Sequence, residues 1–274
     1  MDGILQTGQR IGLRWLTGIF VGVLASSFFL FLGIPLAALL ISEAPDAVWT
    51  VLQESETLQA IQISIVTTCV STFLAVLCGL PVAYVLARVH FRGRGVLETL
   101  VTLPTVLPPV VAGLALLLAF GRFGLIGRYL NVFGITIPFT IYAVIMAQIF
   151  VAAPFFVNSA KAGLSQLDRR YELAAYTLRA SPLYTFLRVV LPLIRPALCA
   201  GIGLTWARAL GEFGATITFA GNFPGITQTL PIAVYIASES DLNRAIVIAI
   251  VLLAVSFGPL LALRIGWGRR NGRE

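Results

Sequence analysis

The sequence predicts an all-α polytopic membrane protein with about six transmembrane helices and both termini in the cytoplasm. Three observations predict it. Hydrophobic residues make up 58% of the 274-residue chain and charged residues only 11%, with a mean hydropathy of +0.93. That is far outside soluble usage. The apolar residues gather into six runs, each long enough to cross a bilayer as a helix. Lys and Arg then collect on alternate flanks of those runs.

The runs cover Trp15–Ile41, Ile61–Leu86, Leu100–Phe120, Ile135–Val157, Pro196–Phe219 and Ala245–Ile265. The first is too long for a signal-peptide core and lacks a convincing small-residue cleavage site, so it is read as a span. Fifteen cations lie on one set of flanks, among them Arg88, Arg92, Arg94, Lys161, Arg169, Arg170, Arg179, Arg188 and Arg195. The opposite flanks carry only Arg122, Arg128 and Arg244, and Arg208 falls inside a span. The positive-inside rule therefore puts both termini in the cytoplasm, and the acidic loop with Glu43, Asp46, Glu54 and Glu56 outside. The net charge of +7 is mostly topogenic, which excludes a nucleic-acid partner. Cys69, Cys78 and Cys199 have no metal or disulfide spacing and read as small packing residues. His90 reads as a surface residue of a basic loop.

The second span carries Ser64, Thr67, Thr68, Ser71 and Thr72. Such residues let helices approach closely; packing is the favoured role and pore lining the alternative. The third span opens with Leu103-Pro104-Thr105-Val106-Leu107-Pro108-Pro109-Val110. Three prolines in six residues remove backbone donors and bend or break a helix. That is either a bent start of the span near the cytoplasmic boundary or a kink on a translocation path. The loop Gly121–Gly134 offers no chemical motif. Gln148 and Asn158 in and after the fourth span can bond across helices. The fifth span carries Trp206, Arg208, Glu212, Gly214, Ala215 and Thr216. Arg208 and Glu212 are four apart on one helical face, so they are expected to pair. The pair is either a self-neutralised lock or a place where a cation meets an anion in transit. The outer link Gly221–Asp241 has an apolar, Pro-containing middle, expected to be partly re-entrant or interfacial.

Residues 163–192 are the longest polar interruption. Leu164, Leu167, Tyr171, Ala174, Ala175 and Leu178 recur at helical spacing and form one apolar stripe. Ser165 and Asp168 have capping-box spacing, and Ser181-Pro182 marks a second start. Two short helices joined at Arg179-Ala180-Ser181 are predicted, outside the bilayer core. A solvated connector is the alternative, but the stripe needs a partner surface.

Glu172-Leu173-Ala174-Ala175 and Val190-Leu191-Pro192 resemble the start and close of the EAA loop of type I ABC importer permeases. Arg179 stands where that pattern usually has glycine, so the turn is expected to form without glycine's left-handed freedom. The stretch Ala207–Phe219, with Asn222, Pro224-Gly225, Thr227-Gln228-Thr229 and Pro231, resembles the oxyanion branch of these permeases. The likeness is greatest to molybdate permeases, with sulfate and tungstate permeases next. Leu103–Val110 fits the same branch.

The resemblance implies a type I ABC importer transmembrane domain over 57–265, with coupling loop 163–192. It is preceded by an N-terminal tail, span and outer acidic loop (1–56) and followed by a basic tail (266–274). It further implies a permease homodimer, two cytoplasmic ABC ATPase subunits and an extracytoplasmic substrate-binding protein that delivers the oxyanion. The implied ATPase-coupling residues are Leu167, Tyr171, Glu172, Ala174, Ala175, Leu178 and Pro182. The candidate pathway residues are Pro108, Pro109, Arg208, Glu212 and Thr216. No catalytic, metal or cofactor site is expected in this chain, whose ATP-Mg would sit in the partner ATPase; no Gly-x-x-x-x-Gly-Lys-Ser/Thr is present. A secondary transporter or channel is the rival class, but it would need ionisable relays in the membrane beyond the Arg208–Glu212 pair. An intramembrane enzyme would need a motif such as His-Glu-x-x-His or Gly-x-Ser-x-Gly, and neither occurs.

Overall fold

The computed structural model describes residues 2–42 and 45–271, and side-chain surroundings for 18–42, 48–259 and 261. Glu43 and the end of the basic tail, 272–274, lie outside the described residues. The side-chain surroundings of Arg10, Arg14, Asp46 and Arg264 lie outside them too. The chain divides into two compact units, 1–49 and 50–274.

The first unit holds α1 (Asp2–Ile41). Within it Gly18–Ile41 has a mean hydropathy of 2.3, ample for a crossing. α2 (Pro45–Leu52) covers the boundary between the units.

The second unit continues with α3 (Ser55–Arg88), α4 (Arg94–Val106), α5 (Pro109–Phe120), α6 (Gly127–Val132) and α7 (Ile141–Gln166). Next come α8 (Arg170–Thr177), α9 (Pro182–Thr185), a π-helical turn over Phe186–Val190 and α10 (Leu191–Leu193). The chain ends with α11 (Arg195–Leu210), α12 (Gly214–Ala220), α13 (Leu230–Ser240) and α14 (Leu242–Asn271). No strand occurs among the described residues.

Among the described residues four helices are long and apolar enough to cross a membrane, and six crossings are reached only by counting two bent pairs. The third expected span is one of these. α4 and α5 meet at 117° across Leu107-Pro108, because Pro108 and Pro109 both lack the N–H that would continue the ladder. The fifth expected span is also broken: α11 stops at Leu210 and α12 starts at Gly214. The fourth is displaced. Ile135–Thr140, which contains Pro138, is not helical, and α7 runs on to Gln166.

α7 is the central element, packing with α3, α11, α12, α4 and α5. Its small residues Ala143, Ala147, Ala152 and Ala160 are buried, and small side chains are what allow such close helix approach. The hydroxyl residues of α3 take the packing role. Ser64, Thr67, Thr68, Ser71 and Thr72 are all buried. Ser71 Oγ donates to Gln148 Oε1 at 3.0 Å, and Gln148 Nε2 donates to Thr68 Oγ1 at 3.5 Å. Two expectations fail on exposure. Cys69 and Cys78 lie on the outer surface of α3 instead of in a packed interface, and Asn158 is exposed. The link after Gly221 becomes helical only from Leu230, as α13, whose Leu230 N–H is received by Ser64 Oγ at 2.7 Å.

Candidate functional site

Two places gather the residues singled out from sequence. The first is the 163–192 stretch. Its helical break falls at Leu167-Asp168 and not at Ser165, which lies inside α7. The Ser165–Asp168 capping box is therefore absent; Asp168 Oδ1 instead accepts from the Arg170 N–H at 2.9 Å and starts α8. The second start is as expected: Ser181 Oγ accepts from the Tyr184 N–H at 3.3 Å, with Pro182 as first residue of α9. The chain turns toward α11 at Ile194. The bend there is 74°.

The apolar stripe divides. Leu164 is fully buried and Leu167 partly buried against the α3–α7 core. Tyr171, Ala174 and Leu178 are exposed, Leu178 by 84%, and Ala175 is half-buried. Leu173, Tyr176, Leu183 and Tyr184 add exposed apolar surface that the stripe did not include. A groove lined by Tyr171, Ala174, Ala175, Leu178, Tyr184 and Val189 runs between α8 and the second helix.

Glu172 does not share that open face. Its Oε1 lies 2.7 Å from Arg88 Nη2 at the end of α3, and both side chains are largely buried. Arg88 Nη2 also donates to Leu167 O at 3.2 Å, and Arg169 Nη2 donates back to Arg88 O at 3.1 Å. Sequence reasoning counted Arg88 only as a topogenic charge.

Arg179 adopts φ +60°, the left-handed conformation that the glycine of the pattern would supply. Around it the Arg179 N–H bonds to Tyr176 O at 3.0 Å and the Ala180 N–H to Ala175 O at 3.1 Å. That is a Schellman termination of α8. The geometry of the turn is thus retained, at the steric cost of a β-carbon there.

The second place joins the two helix breaks. Pro108 precedes α5 as its cap and Pro109 opens it, a position where the missing N–H costs nothing. Gly214, the first residue of α12, lies directly against Pro109. Arg208 lies in the last turn of α11 and Glu212 beyond its end, so they do not share one helix, yet Arg208 Nη2 meets Glu212 Oε2 at 2.5 Å. Glu212 Oε1 accepts from the Ala215 N–H at 2.8 Å and so caps α12. The Glu212 side chain is 1% exposed and that of Arg208 29%. Burying one carboxylate so completely is tolerable because both of its oxygens are engaged. Thr216 is fully buried, and its Oγ1 has no hydrogen-bond partner among the described residues.

No group of His, Cys, Asp and Glu among the described residues is arranged to hold a metal. Three further ion pairs escaped the sequence reading. Lys161 pairs with Glu98, and Arg244 bridges Glu54 at 2.8 Å and Glu56 at 2.9 Å.

Residues 75–265 match the family model described as "Binding-protein-dependent transport system inner membrane component". The molybdenum transport system permease protein ModB of Mycobacterium tuberculosis is 43% identical over 236 residues, which is 86% of this chain and 89% of that one. The sulfate transport system permease protein CysT of Synechocystis is 33% identical, covering 97% of this chain and 93% of that one. In fold, a chain of a bacterial ABC transporter that imports the polysaccharide alginate superposes with a TM-score of 0.75 at 17% identity, covering 96% of this chain and 99% of that one.

Proposed function

This chain belongs to the family of binding-protein-dependent transport system inner membrane components, and from that premise we propose that it is the permease subunit of an ABC importer for molybdate. As a multi-pass subunit of the inner membrane it conducts no chemical step itself. The observation that carries the substrate is the 43% identity to molybdenum permeases across 86% of the chain. Sulfate permeases share less, at 33–39%, and tungstate remains the chemical near-neighbour that uptake measurements must separate. Family membership sets aside a secondary transporter or channel.

In this reading two copies of the chain enclose one pathway, two ATPase subunits dock on the exposed Tyr171, Ala174 and Leu178 face of α8, and a binding protein delivers the oxyanion at the opposite end. The termini and the coupling loop are cytoplasmic, following the skewed Lys and Arg distribution. Glu172 and Leu167 hold α8 in place; the groove lined by Ala175 and Leu178 receives the ATPase, next to Pro182 at the start of α9. Arg208, though paired with Glu212, keeps 29% of its side chain open, so it lies where a cation can meet an anion, close to the paired breaks at Leu107-Pro108 and Gly211–Phe213.

The test is uptake of molybdate, tungstate and sulfate, side by side, by cells whose own oxyanion permeases are deleted and which express this chain with its ATPase and binding protein. Molybdate accumulation that sulfate does not suppress is the expected result. Accumulation of sulfate alone overturns the substrate, and no ATP-dependent uptake of any of the three overturns the reading.

A further inference from the structure

α3 is bonded near its two ends to two separate segments of the chain. At one end Arg88 binds Glu172 and Leu167 O, and Arg169 returns a bond to Arg88 O. Toward the other end Ser64 Oγ receives the Leu230 N–H at 2.7 Å. Leu230 is the first residue of α13, so this N–H has no partner within its own helix. The helix from Ser64 to Arg88 is continuous and rises about 36 Å. Pro81 lies within it, yet Gly79, Ala83 and Leu86 on either side are buried, with Ala83 and Leu86 in the core that includes Phe156 and Val157 of α7.

The link between α7 and α8 is otherwise a break at Leu167-Asp168, and breaks of this kind absorb φ/ψ change and act as hinges. Two hydrogen bonds and one ion pair at the end of α3 straddle that break. The ion pair is largely buried, so solvent screens it little.

We infer that Arg88 is a positioning residue for transport: it clamps α8 to α3, so that displacement of α8 is carried along α3 to the start of α13 instead of being lost at the Leu167-Asp168 hinge. The inference rests on the reading of α8 as the ATPase docking helix. It assigns Glu172 to the clamp and makes Ser64 the far end of the same lever.

The complete importer, purified with its ATPase and binding-protein subunits and reconstituted in proteoliposomes, gives three readouts: ATPase subunits retained, phosphate released and molybdate taken up. Arg88→Met lowers molybdate uptake per ATP hydrolysed by about twofold to thirtyfold while the ATPase subunits stay attached. The exchange Arg88→Glu with Glu172→Arg restores most of that ratio, which a merely structural loss would not allow. A wild-type ratio in Arg88→Met overturns the inference and leaves the docking reading standing. An exchange variant that assembles but stays as uncoupled as the single change also overturns it. Should Arg88→Met fail to insert, Ser64→Ala decides, since it removes only the acceptor for Leu230 N–H; a wild-type ratio there overturns the lever. If Leu178→Asp leaves ATPase attachment and uptake intact, the docking reading itself falls and the lever falls with it.

Discussion

Gly214 lies against Pro109 with no room for a side chain: a β-carbon at 214 would stand 2.6 Å from Pro109 Cβ. The reverse contact is equally tight, since a β-carbon at Gly113 would come within 2.7 Å of Ala215 O and Thr218 Cβ. α5 and α12 thus meet at two glycines, one from each helix. This contact places the break at Leu107-Pro108 beside the break at Gly211–Phe213. Irregular backbone at membrane depth survives only when protein or a watery cavity surrounds it, and here each break shelters the other.

The first prediction follows from that contact. Gly214→Ala forces α5 and α12 apart and costs about 1–3 kcal/mol, the range for overpacking a filled interior. Gly211→Ala is the control, because its β-carbon meets nothing closer than Ala207 O at 3.4 Å. Thermal unfolding of the detergent-solubilised protein should show a lower midpoint for Gly214→Ala only. Equal midpoints would remove the glycine contact as the reason the two breaks coincide.

The Arg208–Glu212 pair yields an asymmetric prediction. Arg208→Ala strands a carboxylate that is 1% exposed and costs about 3–5 kcal/mol. Glu212→Gln costs less, because its amide oxygen can still accept from the Ala215 N–H and Arg208 is open enough to find water. Adding Glu212→Gln to Arg208→Ala should return most of the lost stability. Uptake separates the remaining question: a stable double variant that transports at the wild-type rate makes the pair a lock with no part in the anion's route.

Much of this was legible in the sequence, and the failures have physical causes. The second and sixth spans hold their places because α3 and α14 are unbroken helices over those runs. Hydropathy averages over a window, so it passed straight across Gly211–Phe213; the two glycines flanking Glu212-Phe213 were the available sign of a break. Pro104, Pro108 and Pro109 announced theirs, because a missing N–H is written in the residue type. Arg88 was invisible as a clamp, since its partner Glu172 is remote in sequence and a charge tally cannot tell a paired cation from a solvated one. Ser165 and Asp168 mimicked a capping box because the same spacing also spans a helix end, with Ser165 in the last turn of α7 and Asp168 beyond it. Glu212 was read as a helix-face partner of Arg208, whereas the pair survives across a helix end because the carboxylate also caps α12.

Arg179 gives a third prediction. Its φ of +60° places a β-carbon in the left-handed region, which costs an L-residue roughly 1–2 kcal/mol. Arg179→Gly should relieve most of that, and hydrogen exchange at the Ala180 amide, which bonds to Ala175 O, should slow about fivefold for 1 kcal/mol. Arg179→Ala keeps the β-carbon and should exchange as the native chain does. If alanine slows exchange as much as glycine, the arginine side chain and not its backbone conformation is what strains the turn.

The last prediction concerns the exposed face of α8. Leu178 is 84% exposed and Tyr171 also stands open, while Glu172 on the same helix is occupied by Arg88. The two sides of α8 therefore separate by substitution. Leu178→Asp touches nothing within the chain that needs leucine, so the protein should insert and melt as the native one does, within about 0.5 kcal/mol. Its ATPase subunits should be lost on purification, because a charge is then buried without a partner at the centre of the contact. Glu172→Gln should behave oppositely: it weakens the Arg88 clamp, lowers stability by about 1–3 kcal/mol as a charge-assisted bond is lost, and leaves the Leu178 surface unaltered. Co-purification of the ATPase with each variant, alongside its melting midpoint, distinguishes the two sides. Retention of the ATPase by Leu178→Asp, together with its loss in Glu172→Gln at an unchanged midpoint, would mean that the ATPase reads the clamp side of α8 and not its open face.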